Sequence, residues 1–160
     1  MLRFLKKSCS IINQVVEYLL FGLGLSMALL VAIQVFCRYV LNSSLFWSEE
    51  LARYMLVWLS FLGATVAYYH HLHPGVNTIT SRLSKTNQRL SRLCVHCISI
   101  SIGIVMIISG TQFAWFVRLQ VSPALSIPKW VILVIIPCCG LLLFLYALLF
   151  FLKTFYEENP

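Results

Sequence analysis

Three groups of side chains in this sequence have types and spacing that chemistry or binding could use. Cys94-x-x-Cys97 has the spacing of a dithiol redox motif, whose reactivity rests on a thiolate at an accessible site. His70, His71, His73 and His96 offer imidazoles of the kind that hold haem or a metal in a membrane bundle. Trp47, Glu49, Glu50 and Arg53, with Arg38 shortly before them, put an aromatic ring, two carboxylates and two guanidinium groups in one short region. No phosphate-cradling Gly-rich loop, nucleophile elbow or acid–base carboxylate pair accompanies them, so no enzyme activity is expected. Which of the three groups can act depends on the elements that position them.

Those elements belong to a membrane protein. Of 160 residues, 60% are apolar and only 11% charged, and the mean hydropathy is +0.88. Soluble domains carry about 25% charged residues, and so short a chain could not hide this much apolar surface from water. Four stretches approach the roughly 20 apolar residues that cross a bilayer: about 18–37, 51–69, 93–117 and 130–152. A cleaved signal peptide competes for the first, because Arg3, Lys6 and Lys7 precede it. Its apolar run is too long for that, and no small-x-small cleavage site follows, so a retained helix is expected. The formal charge of +7 does not point to nucleic acid, because the basic residues fall in short stretches between apolar runs.

Lys and Arg near the helix ends set orientation. Arg3, Lys6, Lys7, Arg82, Lys85, Arg89, Arg92 and Lys153 fall on one face, against Arg38, Arg53, Arg118 and Lys129 on the other. The larger group marks the cytoplasmic side, which places both termini there. The expected fold is an all-α integral membrane protein, one domain over 1–160, with four transmembrane helices. Glu17, one turn inside the first helix, is expected to reach the interface or to pair with a nearby Lys.

Between the second and third spans, Val76, Ile79, Leu83, Thr86, Leu90 and Leu93 recur at helical spacing. Arg82, Lys85, Arg89 and Arg92 follow the same spacing on an adjacent face. The pattern predicts an amphipathic surface helix over about 76–92, its cations among lipid phosphates. The outer loop before the second span turns at Asn42-Ser43-Ser44 and sets Phe46 and Trp47 at interface depth. Ser48 is expected to cap the second helix, Glu49 and Glu50 to face its dipole, and Glu49 to pair with Arg53 at i, i+4. Arg53 and the two carboxylates at a membrane boundary also have the character of a docking surface.

This placement weighs against chemistry. Cys94 and Cys97 fall on the reducing side, and neither outer loop holds a Cys pair. Three of the His cluster in a loop, whereas a haem site needs imidazoles on facing helices. Neither cofactor nor metal is expected. Ser60, Thr65, Ser99 and Ser101 near the midplane fit helix glue and back-bonding to carbonyls better than a substrate site, and Pro137 is expected to kink the fourth helix. A chain of this kind is best read as a subunit.

Arg38-Tyr39-Val40-Leu41-Asn42, Trp47-Ser48-Glu49-Glu50-Leu51-Ala52-Arg53-Tyr54 and Trp58 with Phe61-Leu62-Gly63-Ala64 resemble the small membrane subunit (DctQ type) of tripartite ATP-independent periplasmic (TRAP) transporters. Ser122-Pro123-Ala124-Leu125-Ser126-Ile127-Pro128 with Trp130 and Pro137 is similar to that family's pattern at the start of the fourth helix. The resemblance runs from about Gln34 to the end of that helix. One departure falls after the second span: His73-Pro74-Gly75-Val76-Asn77 ends in an amide where the family usually has an acid, so no ion pair is carried over there. The tail Tyr156-Glu157-Glu158-Asn159-Pro160 adds no connecting helix, which fits the separate-subunit form.

The resemblance implies sodium-driven import of an organic acid, of the C4-dicarboxylate or sialic acid class, across the bacterial inner membrane. A large membrane subunit would carry the substrate and sodium sites on an elevator domain, and a periplasmic binding protein would deliver the substrate. This chain would widen the static scaffold and help dock the binding protein through Arg38, Trp47, Glu49, Glu50 and Arg53, while Arg82, Lys85, Arg89 and Arg92 hold membrane lipids. A four-helix membrane redox subunit, with haem or exchanging thiols, is the second class; a haem band in the visible spectrum would distinguish it.

Overall fold

A computed structural model of the chain describes residues 2–70 and 85–156. In chain order it contains α1 (Leu2–Tyr39), α2 (Phe46–Tyr69), α3 (Lys85–Phe116), α4 (Lys129–Leu133) and α5 (Ile135–Tyr156). No strand occurs among the described residues beyond one isolated antiparallel bridge between Val121 and Pro128. Among the described residues, four segments are long and apolar enough to cross a membrane: Leu5–Tyr39, Phe46–Tyr69, Asn87–Phe116 and Lys129–Phe155. The all-α, four-span fold expected from the apolar runs is the fold adopted.

The helices outrun the apolar stretches that announce them. α1 has 38 residues, about 57 Å at the usual rise. Its early turns are held by packing, since Cys9, Asn13 and Val16 are buried at i, i+4 and i+7. α3 likewise begins at Lys85, so residues 85–92 form the first turns of the third spanning helix. Leu90 and Arg92 are exposed there, and Arg89 is half-buried. The remainder of the amphipathic stretch lies outside the described residues, with Arg82, His71, His73 and the side chain of Lys85.

The fourth span is two helices. The break falls at Val134, three residues before Pro137, where a kink was expected. A proline ring clashes with the carbonyl four residues earlier, here that of Leu133, and offers it no N–H. The proline therefore acts one turn upstream of itself.

α5 occupies the middle of the bundle and packs on α1, α2 and α3, most extensively on α3. Tyr146, Ala147 and Cys139 on it are fully buried. The α3–α5 seam is closed by glycines. A Cβ added at Gly140 would lie 2.8 Å from the Met106 Cβ and 3.0 Å from the Gly103 carbonyl oxygen. Only hydrogen atoms fit in that gap, so the two backbones touch. The hydroxyls near mid-span do not converge on a site. Ser60, Thr65, Ser99 and Ser101 each donate to a carbonyl three or four residues back on their own helix.

Candidate functional site

The loop after α1 and the loop after α3 lie at one end of the bundle, called here the collar. Glu50, in the second turn of α2, ties the start of that helix to the second of these loops. One carboxylate oxygen accepts the Tyr54 hydroxyl on its own helix. The other accepts the backbone N–H of Ala124 at 2.9 Å.

The loop that Glu50 holds is built to present that N–H. Lys129 N donates to the Gln120 carbonyl at 2.9 Å, and Ser122 N to the Ile127 carbonyl at 2.9 Å. Inside this narrow hairpin, Ser126 N returns to the Ser122 carbonyl at 3.1 Å, with Ser126 in the left-handed region at φ 54°. The Ser122 hydroxyl, almost fully buried, accepts the Leu125 N–H at 3.3 Å. Pro123 presets the turn and has no N–H of its own. The Ala124 N–H is thus left at the tip, where the carboxylate satisfies it. A second tie lies deeper: the Trp58 indole N–H donates to the Ile132 carbonyl in α4 at 3.0 Å, beside the helix break.

Two sequence expectations for this end are corrected. Ser48 is not the cap. α2 starts at Phe46 with Leu45 as its N-cap residue, which makes no side-chain cap bond. Ser48 is wholly buried and its hydroxyl donates back to the Leu45 carbonyl at 2.7 Å. A hydroxyl without water must place its proton on a nearby acceptor, and that carbonyl is one turn away. Nor do Glu49 and Arg53 form an ion pair. The Arg53 Nε donates to the Glu49 backbone carbonyl at 3.4 Å. Both side chains are exposed, where such a pair gains only a few tenths of a kcal/mol.

The five collar residues therefore divide. Glu50 turns inward and fastens the start of α2 to the hairpin. Arg38, Trp47, Glu49 and Arg53 remain exposed. Arg38 and Glu49 both line a cavity of about 360 Å³ between the end of α1 and the start of α2, with Gln34, Ser44, Leu45 and Phe46. Phe46 is 85% exposed beside it. A surface with cations, a carboxylate and unpacked aromatic rings suits contact with another protein better than it suits a reaction.

The other end of the bundle accounts for the remaining candidates. Glu17 pairs with His70 at 2.5 Å, in place of the Lys expected as its partner, and accepts the Asn13 amide at 2.6 Å. His96 is buried, and its Nδ1 shares a hydrogen bond of 2.8 Å with the Tyr68 hydroxyl. All six cysteines are free; Cys94 and Cys97 are exposed on α3, and Cys139 is buried in the core. Among the described residues no three His, Cys, Asp or Glu side chains gather as a metal set would.

Sequence reasoning missed Ser122, Tyr54 and the Ala124 N–H as members of the collar. The Ser-Pro pair at the start of a turn was a usable signal for Ser122. A backbone donor on an alanine leaves none.

The family model described as "Tripartite ATP-independent periplasmic transporters, DctQ component" matches residues 27–156. A protein of Haemophilus influenzae named as a TRAP transporter small permease protein is 29% identical over 119 residues, covering 74% of this chain and 73% of its own length. The C4-dicarboxylate TRAP transporter small permease protein DctQ of Vibrio cholerae is 25% identical over 65% of this chain and 48% of its own length. The sialic acid TRAP transporter small permease protein SiaQ of the same organism is 27% identical over 69% of this chain and 64% of its own length.

Proposed function

The chain belongs to the DctQ component family of the tripartite ATP-independent periplasmic transporters, and from that premise we propose that it is a static scaffold for a larger membrane subunit. Membership makes it a small permease subunit, a transport component and not an enzyme. With four spanning helices it is a multi-pass protein of the bacterial inner membrane. On this reading the larger subunit carries the substrate and sodium sites and moves, while this chain stays in place and helps seat a periplasmic binding protein.

The observation that supports the scaffold is the Glu50–Ala124 tie. A tied hairpin and a glycine-closed seam leave the helices little freedom to slide, which is what a moving partner needs to move against. Arg38, Trp47, Glu49 and Arg53 stand exposed beside the tie and are assigned to partner contact. The collar faces the periplasm and both termini the cytoplasm, in line with the eight-to-four distribution of Lys and Arg. On the cytoplasmic side Arg82, Lys85, Arg89 and Arg92 hold anionic lipid headgroups.

The cargo is an organic acid. The two Vibrio relatives are named for different acids at similar identity, so both classes stand. The test is sodium-driven uptake by proteoliposomes holding this chain, the large subunit and the binding protein. C4-dicarboxylate and sialic acid are offered in parallel, with co-purification of the large subunit as the control for assembly. Uptake that proceeds equally well without this chain would overturn the scaffold reading.

A further inference from the structure

A second cavity, of about 420 Å³, runs between α3 and the broken fourth span, near the collar end. Ala114, Trp115, Trp130 and Pro137 line it, with the exposed Arg118 lining it from the turn that follows α3. It exists because α3 and α5 touch at Gly110, where an added Cβ would lie 2.9 Å from the Pro137 ring. Beyond that contact the break at Val134 turns α4 onto a different path.

Its dimensions and chemistry select an occupant. From Arg118 to Thr111, the innermost lining residue on α3, the helix rises roughly 10 Å. That is less than one leaflet of a hydrocarbon core about 30 Å thick. The lining is apolar along this depth apart from the Thr111 hydroxyl, which is spent on the Ile107 and Ile108 carbonyls. At the turn after α3 the lining carries a cation. The Arg118 guanidinium carbon sits 3.8 Å from the centroid of the Trp115 ring, and no carboxylate among the described residues pairs with it. A guanidinium over an aromatic face keeps its N–H edges for an oxyanion. Trp115 is 70% and Trp130 44% exposed, one at the end of a spanning helix and one at the start of the next, the positions where indoles meet headgroups.

We infer that this groove binds one anionic phospholipid of the collar-side leaflet, its phosphate on Arg118 and an acyl chain laid between Trp115 and Trp130 towards Pro137. A site of this kind adds a fixed lipid to the scaffold, and it is separate from the basic segment at the other end.

The experiment reads indole quenching in the full chain reconstituted into vesicles of dioleoyl lipids. Dibrominated phosphatidylglycerol is compared with dibrominated phosphatidylcholine, and a variant with Trp115→Phe and Trp130→Phe serves as the blank. The expected result is a preference for phosphatidylglycerol of about fivefold, the usual contribution of one surface cation. Arg118→Gln should abolish the preference, and Arg118→Lys should keep most of it, which separates loss of charge from loss of fold. Ala114→Phe should lower quenching by both lipids by filling the groove. Equal quenching by the two lipids in the native chain, or an unchanged preference in Arg118→Gln, would overturn the site. So would loss of the quenching when the large membrane subunit is added, since the groove would then be a protein seam.

Discussion

The Glu50 carboxylate holds the Ala124 N–H at 2.9 Å across 74 positions of the chain. The bond joins the start of α2 to the tip of the hairpin before α4, so one side chain sets the spacing of that helix end and the hairpin. The Tyr54 hydroxyl on the other oxygen fixes the rotamer that makes this possible.

Removing that carboxylate should therefore release the hairpin. Glu50→Ala is expected to lose most of the uptake while the subunit remains in the membrane, and Glu50→Gln should retain part of it, because an amide oxygen can still accept the Ala124 N–H. Tyr54→Phe should fall between Glu50→Gln and the native chain. Uptake by proteoliposomes, normalised to membrane abundance, orders the three. Equal activity of Glu50→Ala and the native subunit would reduce the tie to a local contact.

The exposed collar residues should behave in the opposite way. Arg53→Ala and Glu49→Ala break no ion pair among the described residues, so each should change stability by no more than about 0.5 kcal/mol. As partner contacts they should still lower uptake, or recovery of the binding protein, with Trp47→Ala the most severe because an aromatic ring is the usual anchor of an interface. Thermal unfolding in detergent and uptake, measured on the same preparations, separate the two effects. Normal uptake in all three would remove them from the docking surface.

Gly140→Leu tests the seam. Its Cβ alone would sit 2.8 Å from that of Met106, so α3 and α5 must part. Overpacking of this kind costs about 1–3 kcal/mol, and backbone lies on one side of the gap, so the upper part of that range is expected. Gly63→Ala, where an added Cβ meets nothing within 4 Å, is the control and should unfold with the native chain.

Topology gives an independent check. A reporter fused at Pro160 should be active only in its cytoplasmic form, and one inserted between Ser43 and Ser44 only in its periplasmic form. The reverse pair of results would turn the collar to the wrong side for a periplasmic binding protein.

The spans were legible because a bilayer demands a long apolar run whatever the helices touch. Their ends were not, because packing set them. Cys9, Asn13 and Val16 extend α1, with Leu5 and Ile12 packed beside them, and a face that mixes a thiol and an amide with apolar residues does not read as an apolar run. The break at Val134 was displaced from the proline that causes it. The collar was recognisable by residue type, yet Glu49 and Glu50 look alike in sequence and do opposite things. What separates them is the distant hairpin, and its donor is a backbone group. Ser48 looked like a cap because its burial, which reverses the direction of its hydrogen bond, is a tertiary fact.

The length of α1 has a consequence for the lipid around it. Its candidate spanning helix, Leu5–Tyr39, has 35 residues, about 52 Å of helix. Tilted by about 40°, the steep end of what spanning helices adopt, it still rises roughly 40 Å through a hydrocarbon layer of about 30 Å. The excess must stand in the headgroup layer, where Lys6 and Lys7 are exposed. Bilayer thickness then becomes a variable of the machine: the grip of lipid on those two lysines sets the height at which the opposite end of α1 emerges.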